Sequence, residues 1–137
     1  MRLSRETRYA VLALVELAGQ RPGEIVEARR VSEATGLPRA YLAKILQGLA
    51  RAGIVESARG RGYALVRPAA SVTLGEIVVA LEGSDAFVEG CIFWREECSD
   101  ANPCPLHWRW RELRPGIEDV VGGVTLAQIR DHNLVLG

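Results

Sequence analysis

The apolar positions of this chain fall into alternating helical and strand periods. Between residues 5 and 18, Tyr9, Val11, Leu12, Leu14, Val15 and Leu17 spread over one broad face, which predicts a helix. Ser4 can cap its start and Gly19 fits its stop. Pro22 and Gly23 mark a turn. A second, shorter helix is expected over 26–35, with Ala28, Val31 and Ala34 on one side and Gly36 at its end. The third runs from about Pro38 to Ala52. Its Leu42, Ile45, Leu46 and Leu49 fall at i, i+3, i+4, i+7 spacing, and Pro38 suits a helix's first turn. The opposite face carries Arg39, Ala40, Ala43, Lys44, Gln47 and Arg51. After Gly53 the period shortens to that of strands. Ile54 to Ser57 and Tyr63 to Val66 read as a hairpin whose tip is Arg59-Gly60-Arg61-Gly62.

The second half returns to helical spacing. Residues 67–71 read as a linker. Thr73 caps a helix from Leu74 to Leu81, with Glu76 in register for a capping box and Gly83 as the stop. A helix is expected over about 106–121, kinked or broken at Pro115-Gly116. Gly122 and Gly123 separate it from a last short amphipathic helix, Thr125 to Arg130. There are no internal repeats. The pattern divides the chain at residue 68, into 1–68 and 69–137.

Two short helices joined by a glycine-containing turn form a helix-turn-helix, in which the start of the second helix enters the DNA major groove. Here that start is Pro38, Arg39, Ala40 and Tyr41, with Lys44 one turn on. Arg59 and Arg61 at the hairpin tip suit a narrow minor groove. Three helices and a basic hairpin make a winged helix, so the expected class is mainly α with a small β-hairpin wing. A small helical domain with a hairpin and no nucleic-acid role has the same outline. Charge shifts the balance. Residues 1–68 carry 12 Lys and Arg against 6 Asp and Glu, a balance of +6, while residues 69–137 carry 5 against 11, a balance of −6. A basic first half implies an anionic partner.

Composition narrows the classes further. The 137 residues are 48% apolar and 25% charged, enough for a packed core and typical of a globular domain. No apolar run approaches the roughly 20 residues of a membrane span. Glu16 interrupts the early apolar stretch and no cleavage signature follows, so a cytoplasmic protein is expected, with no membrane partner. No nucleophile elbow, phosphate loop or acid–base pair is present, which argues against an enzyme.

All three cysteines, Cys91, Cys98 and Cys104, lie with His107 inside 17 residues. In a reducing compartment such a cluster points to metal or redox chemistry before structural disulfides. The donors suffice for a metal or an iron–sulfur cluster. A structural zinc fits less well, because first-ligand gaps are usually about two to four residues. A thiol switch and simple burial remain open. Glu96, Glu97 and Asp100 are expected to oppose thiolate formation, and Pro103 and Pro105 to stiffen the approach of Cys104. A small redox carrier is a further reading, which the basic half disfavours. The lone His132 reads as exposed.

In this order the motifs resemble the IscR/NsrR-type winged-helix regulators of bacteria, the Rrf-two family. The likeness rests on Met1-Arg-Leu-Ser-Arg-Glu-Thr-Arg8-Tyr9-Ala10, Gly36-Leu-Pro-Arg-Ala-Tyr41-Leu42, Leu49-Ala-Arg-Ala-Gly53-Ile-Val, Tyr63-Ala-Leu-Val-Arg67-Pro68, Val72-Thr-Leu74-Gly-Glu-Ile-Val-Val-Ala-Leu-Glu82-Gly83 and the spaced cysteines. It implies a homodimer reading double-stranded DNA at a pseudo-palindromic operator, with Arg2 among the residues that meet DNA. It implies a long C-terminal dimerisation helix, with Trp108, Trp110, Leu113 and Ile117 available for packing. It also implies an iron–sulfur cluster on Cys91, Cys98 and Cys104, completed by His107, which favours 2Fe–2S over 4Fe–4S. In the nitric-oxide-sensing branch the fourth ligand is an acidic residue near position 8. Arg8 stands there, and Glu6 is the weaker cross-subunit donor. Three departures stand out: the Cys91–Cys98 gap is one residue longer than is common, the wing lacks a Gly-Gly-Gly-Tyr run, and Ala43 replaces a common glutamate.

Overall fold

The computed structural model describes residues 3–21, 23–83 and 98–132. Cys91, Arg2, Glu96 and Glu97 lie outside the described residues. Helix α1 spans Arg5–Ala18, α2 Ala28–Thr35 and α3 Arg39–Arg51. Strands β1, Val55–Ala58, and β2, Gly62–Leu65, pair antiparallel, with Val55 opposite Leu65 and Ser57 opposite Tyr63. A 3-10 turn at Ala69–Ser71 leads to α4, Leu74–Glu82; α5, His107–Gly122; and α6, Leu126–Asp131. The observed class is therefore the expected one, helical with one hairpin.

Local chemistry explains the ends. Ser4 Oγ accepts from the Thr7 N–H at 3.1 Å and its hydroxyl bonds Thr7 Oγ1, so Thr7 is satisfied although wholly buried. Gly36 takes the left-handed conformation, φ 75°, that closes α2. Thr73 with Glu76, and Thr125 with Gln128, form complete capping boxes on α4 and α6.

The α3 stripe is buried as spaced: Leu42, Ile45, Leu46 and Leu49 are each 0% exposed. Ala10, Ala13 and Leu14 of α1 meet it from the other side. Val72, Ile77, Leu126 and Ile129 join the same core, so it draws on both sides of residue 68. Helix α1 touches α2, α3, α4, α6 and β2, which makes it the central element.

Two local expectations change. The second helix starts at Ala28, not 26. Val26 instead bridges Tyr63, exchanging both backbone bonds at 2.8 and 2.9 Å, and so ties the wing to the segment before α2. Gly62 permits this: its φ is 138°, and a Cβ there would sit 2.1 Å from the Val26 carbonyl oxygen. Secondly, α5 runs unbroken through Pro115. Proline deletes one backbone donor, and on this solvent-facing helix, none of whose side chains is fully buried, the freed carbonyl can be hydrated.

Candidate nucleic-acid interface and thiol–imidazole site

The start of α3 and the wing tip stand on one surface. Pro38, Arg39, Ala40, Lys44, Arg59 and Arg61 are all exposed. Arg39 and Arg61 line a common cleft of about 420 Å³ together with Arg29, Glu27, Ser57 and Tyr63. Three guanidinium groups around one cleft suit phosphate oxygens, with Glu27, 4.0 Å from Arg29, as the one opposing charge. Arg29 was not foreseen. Its signal was its place in the first turn of the helix before the turn. Tyr41 is half-buried instead, its ring edge-on to Tyr9 at 5.7 Å. The tip turns at Ala58 to Arg61, whose N–H donates to the Ala58 carbonyl at 2.8 Å, with Gly60 at φ 73°.

The second site lies at the N-terminus of α5. Cys98 Sγ is 3.4 Å from His107 Nδ1. His107 Nε2 is 2.8 Å from Asp100 Oδ1, and Arg111 Nη1 donates to Asp100 Oδ2. Cys104 is buried, and its carbonyl accepts from the His107 N–H at 3.0 Å. The Ser99–Asn102 reversal, closed by backbone bonds both ways, presents Asp100 to this group. Hydrogen bonds from His107 and then Arg111 hold the Asp100 carboxyl below its ordinary range. Asp100 is thus held as a carboxylate, paired with Arg111 and turned onto the far nitrogen of His107. Both its oxygens are committed to cationic or N–H partners. Among the described residues no three His, Cys, Asp or Glu side chains are grouped to hold a metal.

Along α5 the apolar residues divide. At about 100° per residue, Trp110, Leu113, Ile117 and Val120 fall within roughly 80° of arc, whereas Trp108 points about 180° from Ile117. Leu113 is 58% and Val120 73% exposed. Trp108 instead meets His107 edge-on at 5.0 Å and lies under the Arg111 guanidinium at 5.8 Å. Half its surface is open, so it does not fill a monomer core.

A helix-turn-helix with a basic wing and an appended helical arm defines a winged-helix transcriptional regulator. Residues 3–132 match the Rrf2 family, described as "Iron-dependent Transcriptional regulator", and the chain belongs to that family. It is 36% identical over 132 residues to the Neisseria meningitidis serogroup A protein NMA1593, whose name places it among HTH-type transcriptional regulators; the match covers 94% of this chain and 87% of that one. It is 32% identical over 140 residues to the regulator IscR of Vibrio campbellii, covering 99% and 81%. Among solved structures it resembles CymR, the global cysteine regulator of B. subtilis, with a TM-score of 0.75, 26% identity, and 96% and 97% of the two chains covered. The relatives are regulators of transcription, not enzymes. The family implies DNA binding. Among the described residues no helix is long and apolar enough to cross a membrane.

Proposed function

We propose that this chain is a cytoplasmic, homodimeric regulator whose affinity for a pseudo-palindromic operator is set by an iron–sulfur cluster, 2Fe–2S in preference to 4Fe–4S. Cys91, Cys98, Cys104 and His107 would hold it. The carrying observation is the 3.4 Å contact of Cys98 Sγ with His107 Nδ1, on a residue whose backbone N–H bonds the carbonyl of the buried Cys104. Thiolates and an imidazole nitrogen are the donors such a cluster takes, so the residues fit. When bound, the cluster supplies a redox-active, oxidant-labile link between the ligands.

The remaining steps belong to the protein. Pro38, Arg39, Ala40, Tyr41 and Lys44 present α3 to the major groove, and Arg59 and Arg61 reach along the backbone or minor groove. Two copies join through α5, burying Trp110, Leu113, Ile117 and Val120. Trp108 belongs with the thiol–imidazole site rather than that seam.

A second reading, a thiol switch without metal, is favoured by the same imidazole beside Cys98 and by the likeness to CymR. Anaerobic purification followed by visible absorption, iron and sulfide analysis separates the two. Colourless protein that stays apo after reconstitution rejects the cluster. Cys98→Ala should then bind operator DNA alike with and without iron; a variant still switched by iron would reject Cys98 as a ligand.

A further inference from the structure

We propose that Asp100 and Arg111 are positioning residues that select the nitrogen of His107 offered to the thiol cluster. The inference deepens the cluster reading and rests on it.

Four side chains form one line. Arg111 donates to one Asp100 oxygen, the other oxygen faces His107 Nε2 at 2.8 Å, and His107 Nδ1 faces Cys98 Sγ at 3.4 Å. A carboxylate can only accept, so the Nε2 side must carry the hydrogen. In neutral imidazole the other nitrogen then keeps its lone pair, and that is the nitrogen beside the sulfur. Ligand histidines are commonly oriented this way, with the non-ligating N–H given to a carboxylate.

The supports of Asp100 are themselves built. Its turn is fixed by Ser99 and Asn102, whose N–H also bonds Ser99 Oγ at 3.2 Å. Arg111 sits one helical turn after His107 on α5, so both emerge on neighbouring positions of one rigid element. The Trp108 ring stands edge-on to His107 and beneath Arg111, so it packs beside the imidazole. Isolated surface ion pairs contribute little to stability, and Asp100 and Arg111 are about 60% and 56% exposed. Their arrangement is therefore better explained by what it does to His107.

The test uses the full chain in two forms. In apo protein, long-range ¹H–¹⁵N NMR in mildly alkaline buffer reports the His107 tautomer. We expect a single Nε2–H form in wild type, a mixture in Asp100→Ala, and recovery in Asp100→Asn, whose side-chain oxygen still accepts. In reconstituted protein, cluster loss to an iron chelator should be about tenfold or more faster in Asp100→Ala, with Asp100→Asn close to wild type and Arg111→Ala between. The thermal midpoints of the apo variants should match wild type. A single tautomer and unchanged loss rate in Asp100→Ala overturns the positioning role alone, with the cluster still present. Wild type that fixes the tautomer but never takes up iron and sulfide overturns the cluster reading, and the role toward a ligand with it.

Discussion

Replacing Gly62 by alanine should damage both stability and DNA binding. A Cβ at this position would lie 2.1 Å from the Val26 oxygen, 2.6 Å from its carbonyl carbon and 2.9 Å from Glu27 Cα. All three are backbone atoms, so no side chain can swing aside. The φ of 138° adds strain of about 1–3 kcal/mol for any residue with a Cβ. The chain can relieve the overlap only by parting Val26 from Tyr63, which forfeits two backbone hydrogen bonds at about 0.5–1.5 kcal/mol each. The expected loss is about 2–6 kcal/mol, a large share of the 5–15 kcal/mol typical of a domain. Gly60→Ala is the control. Its φ is 73° but nothing lies within 4 Å of a Cβ there, so only about 1–2 kcal/mol is at stake. Urea unfolding of both variants, with fluorescence anisotropy on operator DNA, reads the difference. Equal midpoints for the two would refute the claim that close approach to Val26 holds the wing.

Arg61→Ala should weaken DNA binding and lower the slope of log affinity against log salt by about one, whatever the sequence bound; an unchanged slope removes Arg61 from the phosphate contacts. Leu113→Asp places a charge on the exposed α5 strip and should shift sedimentation toward monomer while the circular dichroism spectrum is kept. Leu46→Ala, at a wholly buried position, should cost about 2–5 kcal/mol in denaturant unfolding. Glu76 is held below its ordinary 4.5 by the Thr73 backbone N–H and then by Arg67, so its contribution is present at neutral pH and fades as pH falls through the lowered value. Glu76→Gln keeps the cap but should flatten that acid limb by less than about 1 kcal/mol, since the group is partly exposed.

The stripes and caps were readable because burial in a helix repeats with its turn and a cap is a local bond. Leu42 to Leu49, Ser4 and Thr73 needed no distant information. What was missed depends on distance. Ala10, Ala13 and Ala18 carry much of the α1 contact, yet small side chains weigh little in a periodicity. Val26 looked like a helix start because its partner, Tyr63, is 37 positions away. Asp100 read only as a charge near the thiols; its contact with His107 depends on the Ser99–Asn102 turn. Trp108 and Trp110 read alike in a list of apolar residues, but two positions on a helix differ by about 200°.

Helix α5 connects these pieces mechanically. Its first residue is His107, and its last, Gly122, lies against Gly75, where even a Cβ would be 3.0 Å from the Gly122 Cα. Leu74 N–H to Val124 C=O and Leu126 N–H to Val72 C=O, both 2.8 Å, rivet that end to the start of α4. Helix α4 packs on α1 and α3, and α3 carries the recognition positions. Sixteen residues at 1.5 Å each make a lever of about 24 Å between ligand and core. On the proposed reading, a shift at His107 turns α5 about this fixed end. A dimer joined through α5 would feel that turn as a change in the separation of its two α3 helices, which the roughly 34 Å repeat of a DNA turn must match. The missing backbone bond at Pro115 is the softest point of the lever. Pro115→Ala should therefore stiffen the arm and strengthen the coupling between iron status and operator affinity; weaker coupling in that variant would place the transmission elsewhere.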